Sequence, residues 1–249
     1  MARAAVLRRL NWTLGEVVEL RDETPRVRSI ILDVPKWPGH LAGQHVDIRL
    51  TAEDGYQAQR SYSIASAPED GQLILMVERL TDGEVSAYLV GELRVGDELE
   101  LRGPLGGYFV WNVDRGGPLL LIGGGSGIVP LMSMIRHRAT RPTIPARLLY
   151  SSRAWEEIIF REELALFSDR ADGLDVFHTL TRTHPRDWGG FTRRIDAQML
   201  SETAWPPSVR AATYVCGPSG FVEAVSRTLV LQGHDPITIR TERFGPTGG

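Results

Sequence analysis

Cysteine is almost missing from the 249 residues: Cys216 stands alone. An internal disulfide is therefore impossible, and so is an iron–sulfur cluster held by cysteines of this chain. Excess charge of either sign is missing too, since 28 basic against 31 acidic side chains leave a formal −3. There is no basic footprint for DNA or RNA. Long apolar runs are absent as well. The segment Leu119–Ile122 is far too short to cross a bilayer. Met1 to Asn11 carries Arg3, Arg8 and Arg9 with no apolar stretch behind them, which argues against a secretory signal. The expectation is a cytoplasmic protein with neither a nucleic acid nor a membrane as partner. The histidines His40, His45, His137, His178, His184 and His234 show no i, i+4 metal-ligand spacing. His40 and His45 read as structural or solvated.

What is present is an ordinary globular composition, 42% hydrophobic and 24% charged, with length enough for two domains. Val27–Ile31, His45–Leu50, Tyr62–Ile64, Leu73–Val77 and Glu98–Leu101 are short, alternating or β-branched, and separated by Gly, Pro and Asp. They predict an antiparallel barrel or sandwich, interrupted by a helix over Val85–Val90. After residues 112–118 the pattern changes. Leu119–Ile122, Arg147–Tyr150, Val176–Leu180, Thr213–Cys216 and Ile237–Thr241 read as strands. Helices are predicted over Pro130–Arg138, Glu156–Phe167, Asp196–Leu200 and Gly220–Leu231, so that strand and helix alternate as in a doubly wound α/β parallel sheet. The expected domains are residues 1–113 and 114–249.

Gly123-Gly124-Gly125-Ser126-Gly127-Ile128-Val129-Pro130 follows a strand and opens a helix. Glycines there let backbone N–H groups approach a phosphate, which the helix N-terminus also favours. Proline at 130 replaces the third glycine of the usual dinucleotide fingerprint. A carboxylate ending the next strand would hold a ribose 2′-OH. Here that strand ends Tyr150-Ser151-Ser152-Arg153, with no acid until Glu156. Thr181-Arg182 ends the third strand, and Arg193-Arg194 follow Gly189-Gly190, two candidates for one phosphate contact. These residues lean towards NADPH over NADH.

In Arg60-Ser61-Tyr62-Ser63, an arginine can neutralise a pyrophosphate, a tyrosine can stack on a flavin and a serine can hydrogen-bond its ring edge. Gly83-Glu84-Val85-Ser86 opens the short helix and offers N–H and hydroxyl donors to a phosphate. These two motifs, with Gly103-Pro104-Leu105-Gly106, Gly123–Pro130 and Cys216-Gly217-Pro218, stand in the order and spacing of the ferredoxin–NADP reductase superfamily, which the chain resembles from about Trp12 to Gly249. The tail Glu242-Arg243-Phe244-Gly245-Pro246 resembles a stand-alone bacterial branch.

The resemblance implies a six-stranded antiparallel barrel holding FAD, less commonly FMN, followed by an NAD(P)-binding parallel sheet. It puts Arg60 on phosphate, Tyr62 on the isoalloxazine and Ser63 near its reactive nitrogen. Val77-Glu78-Arg79 becomes the next flavin-contacting strand, and Glu84-Val85-Ser86 the pyrophosphate-binding helix start. Gly124, Gly125, Ser126 and Gly127 become the nucleotide loop, Cys216-Gly217-Pro218 the border of the nicotinamide, and Phe244 a cover for the flavin. Ser63, Cys216 and Glu242 are the candidate catalytic residues, Glu242 for proton traffic. No fused iron–sulfur, globin or cytochrome segment is expected. The implied activity is an NAD(P)H-dependent reductase serving a separate redox protein, such as a ferredoxin, or a small acceptor. The alternatives are a non-catalytic flavoprotein subunit of a complex and a flavin reductase using free flavin. A short-chain dehydrogenase would need a Tyr-x-x-x-Lys pair, and the sole lysine, Lys36, has no such partner.

Overall fold

The computed structural model describes residues 11–244, so Met1–Leu10 and the Gly245-Pro246 part of the tail motif lie outside the described residues. The N-terminal sheet is built from β1 (Thr13–Thr24), β2 (Val27–Asp33), β3 (His45–Thr51), β4 (Gln57–Ser63), β5 (Leu73–Glu78) and β6 (Glu98–Leu105). Its order is β4-β3-β6-β1-β2-β5, antiparallel throughout. An Ile64–Leu75 bridge and the bond from Ala65 N–H to Ile74 O (2.8 Å) bring β5 round to the end of β4, directly after the Arg-x-Tyr-Ser motif. Val17, Ile30, Leu32, Val46, Ile48, Leu75, Val77 and Leu101 fill the interior, and α1 (Glu84–Gly91) plugs it with Val85 and Leu89.

The C-terminal sheet is parallel, ordered β11-β10-β7-β8-β9. Its members are β7 (Leu119–Gly124), β8 (Ala146–Ser152), β9 (Leu174–Leu180), β10 (Ala212–Pro218) and β11 (Ile239–Phe244). Between them run α2 (Ile128–Arg138), α3 (Arg161–Asp169), α4 (Ala197–Thr203) and α5 (Ser219–Leu231). Strand β7 is buried along its whole length, with Leu119 and Leu121 in one core cluster and Leu120 and Ile122 in another. That two-sided burial is why its sequence is continuously apolar. The strand order reverses between β7 and β10, and a crevice beyond the C-terminal ends of strands at such a point is where open α/β sheets bind ligands.

Several elements differ from the expectations: β4 starts at Gln57 rather than Tyr62, β6 runs on to Leu105, and three more depart further. Strand β1 was absent from them. Only Gly15 and Val17 are buried in it, and register shifts between Val17 and Glu19 and between Asp22 and Thr24 break its alternation. The helix expected over Glu156–Phe167 starts only at Arg161, because Phe160 turns the chain in the left-handed region at φ 56°. The last strand starts at Ile239 rather than Ile237, because Asp235 caps a turn of 3₁₀ helix over Pro236–Thr238.

Candidate functional site

Strand β4 exposes polar residues along most of its length and buries Ser63 at its end. Alternation puts Arg60 and Tyr62 on one face and Ser61 and Ser63 on the other. Arg60 is exposed and donates only to the neighbouring Gln59 carbonyl (2.7 Å). The Tyr62 ring leans on the barrel core, where burial raises its phenol well above the usual range against the pull of Arg60. Ser61 donates to Asp47 (2.6 Å), which also pairs with Arg102 (2.7 Å), so its hydroxyl is held within the protein. His45, read from the sequence as structural or solvated, stands opposite Ser63 in the β3–β4 ladder. Burial lowers its pKa, while Asp47 raises it.

Val77 and Val85 belong to the barrel core beside Tyr62, so β4, β5 and the start of α1 converge there. Glu78 is half-buried, and Arg79 is exposed with its carbonyl accepting from Arg26 (3.0 Å). Glu84 accepts from Tyr56 (3.3 Å). The Ser86 hydroxyl accepts from Leu80 N–H and donates to Gly83 O, both at 3.1 Å, which secures the turn before the helix. No side chain caps α1 at Gly83, which leaves its first backbone N–H groups available to an anion.

The glycine loop divides its work. A Cβ on Gly127 would stand 2.2 Å from Cys216 O, so this glycine lets the loop pack on β10. Gly124 and Gly217 meet the Phe221 ring in the same way, at 3.1 and 3.0 Å. Gly125 has φ +56° and open space around it, and Ser126 beside it is half-buried. Pro130 falls in the first turn of α2, where its missing N–H costs nothing.

Ser152 is buried with its hydroxyl unpartnered. Thr181 N–H donates to Ser152 O (3.0 Å) and Arg182 N–H to Arg153 O (2.9 Å), which lays the ends of β8 and β9 side by side. Arg153, Arg182 and Arg194 are exposed. Arg193 instead pairs with Asp196 (2.6 Å), the N-cap of α4, and lies over the Phe191 ring.

On the other side of the strand reversal, Cys216 pairs with Glu242 and Pro218 with Phe244 across the β10–β11 ladder. Cys216 is fully buried; desolvation first, and the Glu242 charge second, raise its thiol well above the ordinary range. Burial raises the Glu242 pKa to about 7, and its Oε2 has no hydrogen-bond partner. Phe244 packs on the cluster containing Cys216, Ala65 and Met76. Tyr214, missed by the sequence reading, donates to Val110 O (2.7 Å) and accepts from Arg240 (2.8 Å). Among the described residues no group of three His, Cys, Asp or Glu side chains is placed to hold a metal, and no helix is long and apolar enough to cross a membrane.

Comparison with known proteins agrees with this arrangement. Residues 16–110 match the oxidoreductase FAD-binding domain family and residues 121–227 the oxidoreductase NAD-binding domain family. The glycine betaine monooxygenase reductase subunit of Chromohalobacter salexigens is 32% identical over 95% of this chain and 66% of its own length. The ferredoxin–NAD(P)(+) reductase component of the naphthalene 1,2-dioxygenase/salicylate 5-hydroxylase systems of a Ralstonia species is 27% identical over 94% of this chain and 69% of its own. This chain thus spans just under two thirds of the glycine betaine monooxygenase reductase relatives, 66% and 64%. Among solved structures, the flavohem-like FAD/NAD-binding domain of nitric oxide dioxygenase from Vibrio cholerae O1 biovar El Tor superposes with a TM-score of 0.84 at 27% identity, over 94% of this chain and 99% of that one. With an antiparallel FAD-binding sheet followed by a parallel NAD-binding sheet, the chain belongs to the ferredoxin–NADP reductase superfamily of oxidoreductases.

Proposed function

We propose that the protein is an NAD(P)H-dependent flavoprotein reductase that passes electrons to a separate redox partner, a ferredoxin or an oxygenase component. The flavin unit would be residues 1–113 and the nucleotide unit residues 114–249. The observation that carries the reading is the strand reversal, where Gly125 after β7 and the unpartnered Glu242 Oε2 on β11 lie on either side of Cys216 on β10.

The residues present suit FAD. Arg60 has no acidic partner among the described residues and is free to meet a pyrophosphate; the uncapped start of α1 at Glu84-Val85-Ser86 supplies backbone N–H groups. Tyr62 offers a ring, Ser63 a buried hydroxyl, and the backbone of Val77-Glu78-Arg79 an edge beside them. A flavin held by these residues would supply the capacity to take a hydride from reduced nicotinamide and to release electrons one at a time. Gly124–Gly127 receive the nucleotide pyrophosphate, and Cys216-Gly217-Pro218 border the nicotinamide. The neutral Cys216 thiol adds bulk without charge. Glu242 holds or releases a proton at Oε2 near neutral pH, and Phe244 shields the crevice.

Arg153, Arg182 and Arg194, with Ser152 and Thr181, favour a 2′-phosphate and hence NADPH over NADH. A cytoplasmic location fits a chain with one buried cysteine. Anaerobic titration of the purified protein with each nucleotide tests the reading. Flavin absorbance that bleaches faster with NADPH is the expected result. A colourless protein that takes up neither FAD nor FMN would overturn it.

A further inference from the structure

Helix α2 begins at the glycine loop and turns its other side to the barrel. Ser133, Arg136 and His137 are spaced i, i+3 and i+4, so they share one helical face. All three hold the segment that follows the Arg-x-Tyr-Ser strand. The Ser133 hydroxyl, fully buried, donates to Ser66 O (2.6 Å). Arg136 donates to Ala65 O (2.7 Å) and is gripped from behind by both oxygens of Glu163 on α3 (2.8 and 2.6 Å), with its guanidinium over the Phe160 ring. His137 donates from Nδ1 to Glu69 (2.7 Å), while its Nε2 accepts from Val113 N–H (3.2 Å).

Residues 65 and 66 are equally fixed on the barrel side. Ala65 N–H bonds Ile74 O (2.8 Å), Ser66 Oγ accepts from Ile74 N–H (3.0 Å), and Ser66 O accepts a second bond from His40 Nε2 (3.0 Å). Ala65 and Ser66, two and three residues beyond Ser63, are therefore bonded to the barrel on one side and to the helix that follows Gly127 on the other. Two short, charge-assisted or fully buried bonds at this point are stiff against sliding of one sheet past the other.

We propose that Ser133 and Arg136 are positioning residues for hydride transfer. Through the carbonyls of Ser66 and Ala65 they set the glycine loop and its helix against the strand bearing Arg60–Ser63. Neither residue would touch flavin or nicotinamide. The inference rests on the reductase reading above. Small displacements of reacting atoms are expensive: a shift of about 1 Å can cost roughly a hundredfold in rate.

The test is anaerobic stopped-flow reduction of the flavin-loaded protein by NADPH, comparing wild type with Ser133→Ala, Arg136→Met and Arg136→Lys. At saturating nucleotide the Ala and Met variants are expected to be reduced about ten- to a hundredfold more slowly. Flavin content and nucleotide affinity should stay within about twofold of wild type, the mark of an interaction that serves the transition state alone. The long-wavelength absorbance of a nicotinamide stacked on flavin should weaken, and amide exchange over residues 64–70 should quicken, a readout independent of turnover. Arg136→Lys keeps the charge and should recover part of the rate. If Arg136→Met does not fold, Glu163→Gln loosens the same guanidinium from the exposed side and should show the same slowing. Unchanged reduction rates in the folded variants would overturn the proposal, as would slowing matched by an equal loss of nucleotide affinity. A wild-type protein that holds flavin yet is reduced by neither nucleotide would remove the reductase reading itself, and the proposal with it.

Discussion

Glu242 stands beside Cys216 on the adjoining strand, and the carboxyl keeps one oxygen, Oε2, buried without a hydrogen-bond partner. Desolvation is the cause of its raised pKa, from the usual 4.5 to about 7. A carboxyl that keeps its proton longer in the folded state favours folding at low pH. That contribution is complete below pH 4.5 and is lost as pH rises towards 7. Glu242→Gln should remove this dependence. Its melting temperature should equal or exceed that of the wild type above pH 7, and the two should converge near pH 4.5. Melting curves across that range check the sign, and a variant that loses stability at pH 8 would refute the desolvation argument.

The same burial governs Cys216. A thiolate is the reactive form, and here both desolvation and the neighbouring carboxyl disfavour it. Iodoacetamide at pH 8 should leave the folded protein unlabelled and modify it fully in denaturant. Rapid labelling of the native protein, followed by mass spectrometry, would show that β10 opens at its C-terminal end.

The arginines divide into two kinds. Arg194→Ala and Arg182→Ala remove exposed guanidinium groups with no acidic partner among the described residues, and each should raise the Kd for NADPH roughly tenfold or more while sparing NADH, since hydrogen bonds to charged groups contribute about 1.5–3 kcal/mol. Arg193→Ala should instead act on α4, because its partner Asp196 accepts from Met199 N–H (2.8 Å) as the helix cap. An exposed ion pair is screened by solvent and contributes little, so a small drop in melting temperature with unchanged NADPH affinity is expected. Isothermal titration of the three variants with both nucleotides separates the kinds.

How much of this was legible in the sequence follows from the range of the interactions involved. The β7–loop–α2 unit was readable because its logic is local: a strand apolar on both faces, glycines, then proline in a first helical turn. Strand β1 was not, because its outer face is charged and its bulges destroy the period on which strand detection depends. Arg193 and Arg194 look equivalent as a dipeptide, and the local turn into α4 pairs only Arg193 with Asp196, three residues on. Ser133 and Arg136 carried no motif at all. Their partners lie 67 and 71 residues away and are backbone carbonyls, which every residue possesses. Interactions of that kind leave no trace in side-chain pattern.

The glycine loop gives the sharpest contrast between packing and binding. Gly127 has ordinary helical backbone angles (φ −61°), so its need for glycine is purely steric: the methyl of Gly127→Ala would stand 2.2 Å from Cys216 O. Backbone on both sides must then separate, and overpacking of this kind costs about 1–3 kcal/mol or more. Gly125→Ala meets no neighbour within 4 Å but must hold φ +56°, a strain of about 1 kcal/mol that the fold can absorb. Its methyl would occupy the open side of the loop, where a phosphate is proposed to sit. Gly127→Ala should therefore lower the melting temperature strongly, whereas Gly125→Ala should fold nearly normally and bind either nucleotide more weakly. Thermal melting and nucleotide titration on the two variants decide the assignment. If Gly125→Ala bound NADPH and NADH with wild-type affinity, the open side of the loop would not be the phosphate seat, and the glycine would serve only to turn the chain from β7 into α2.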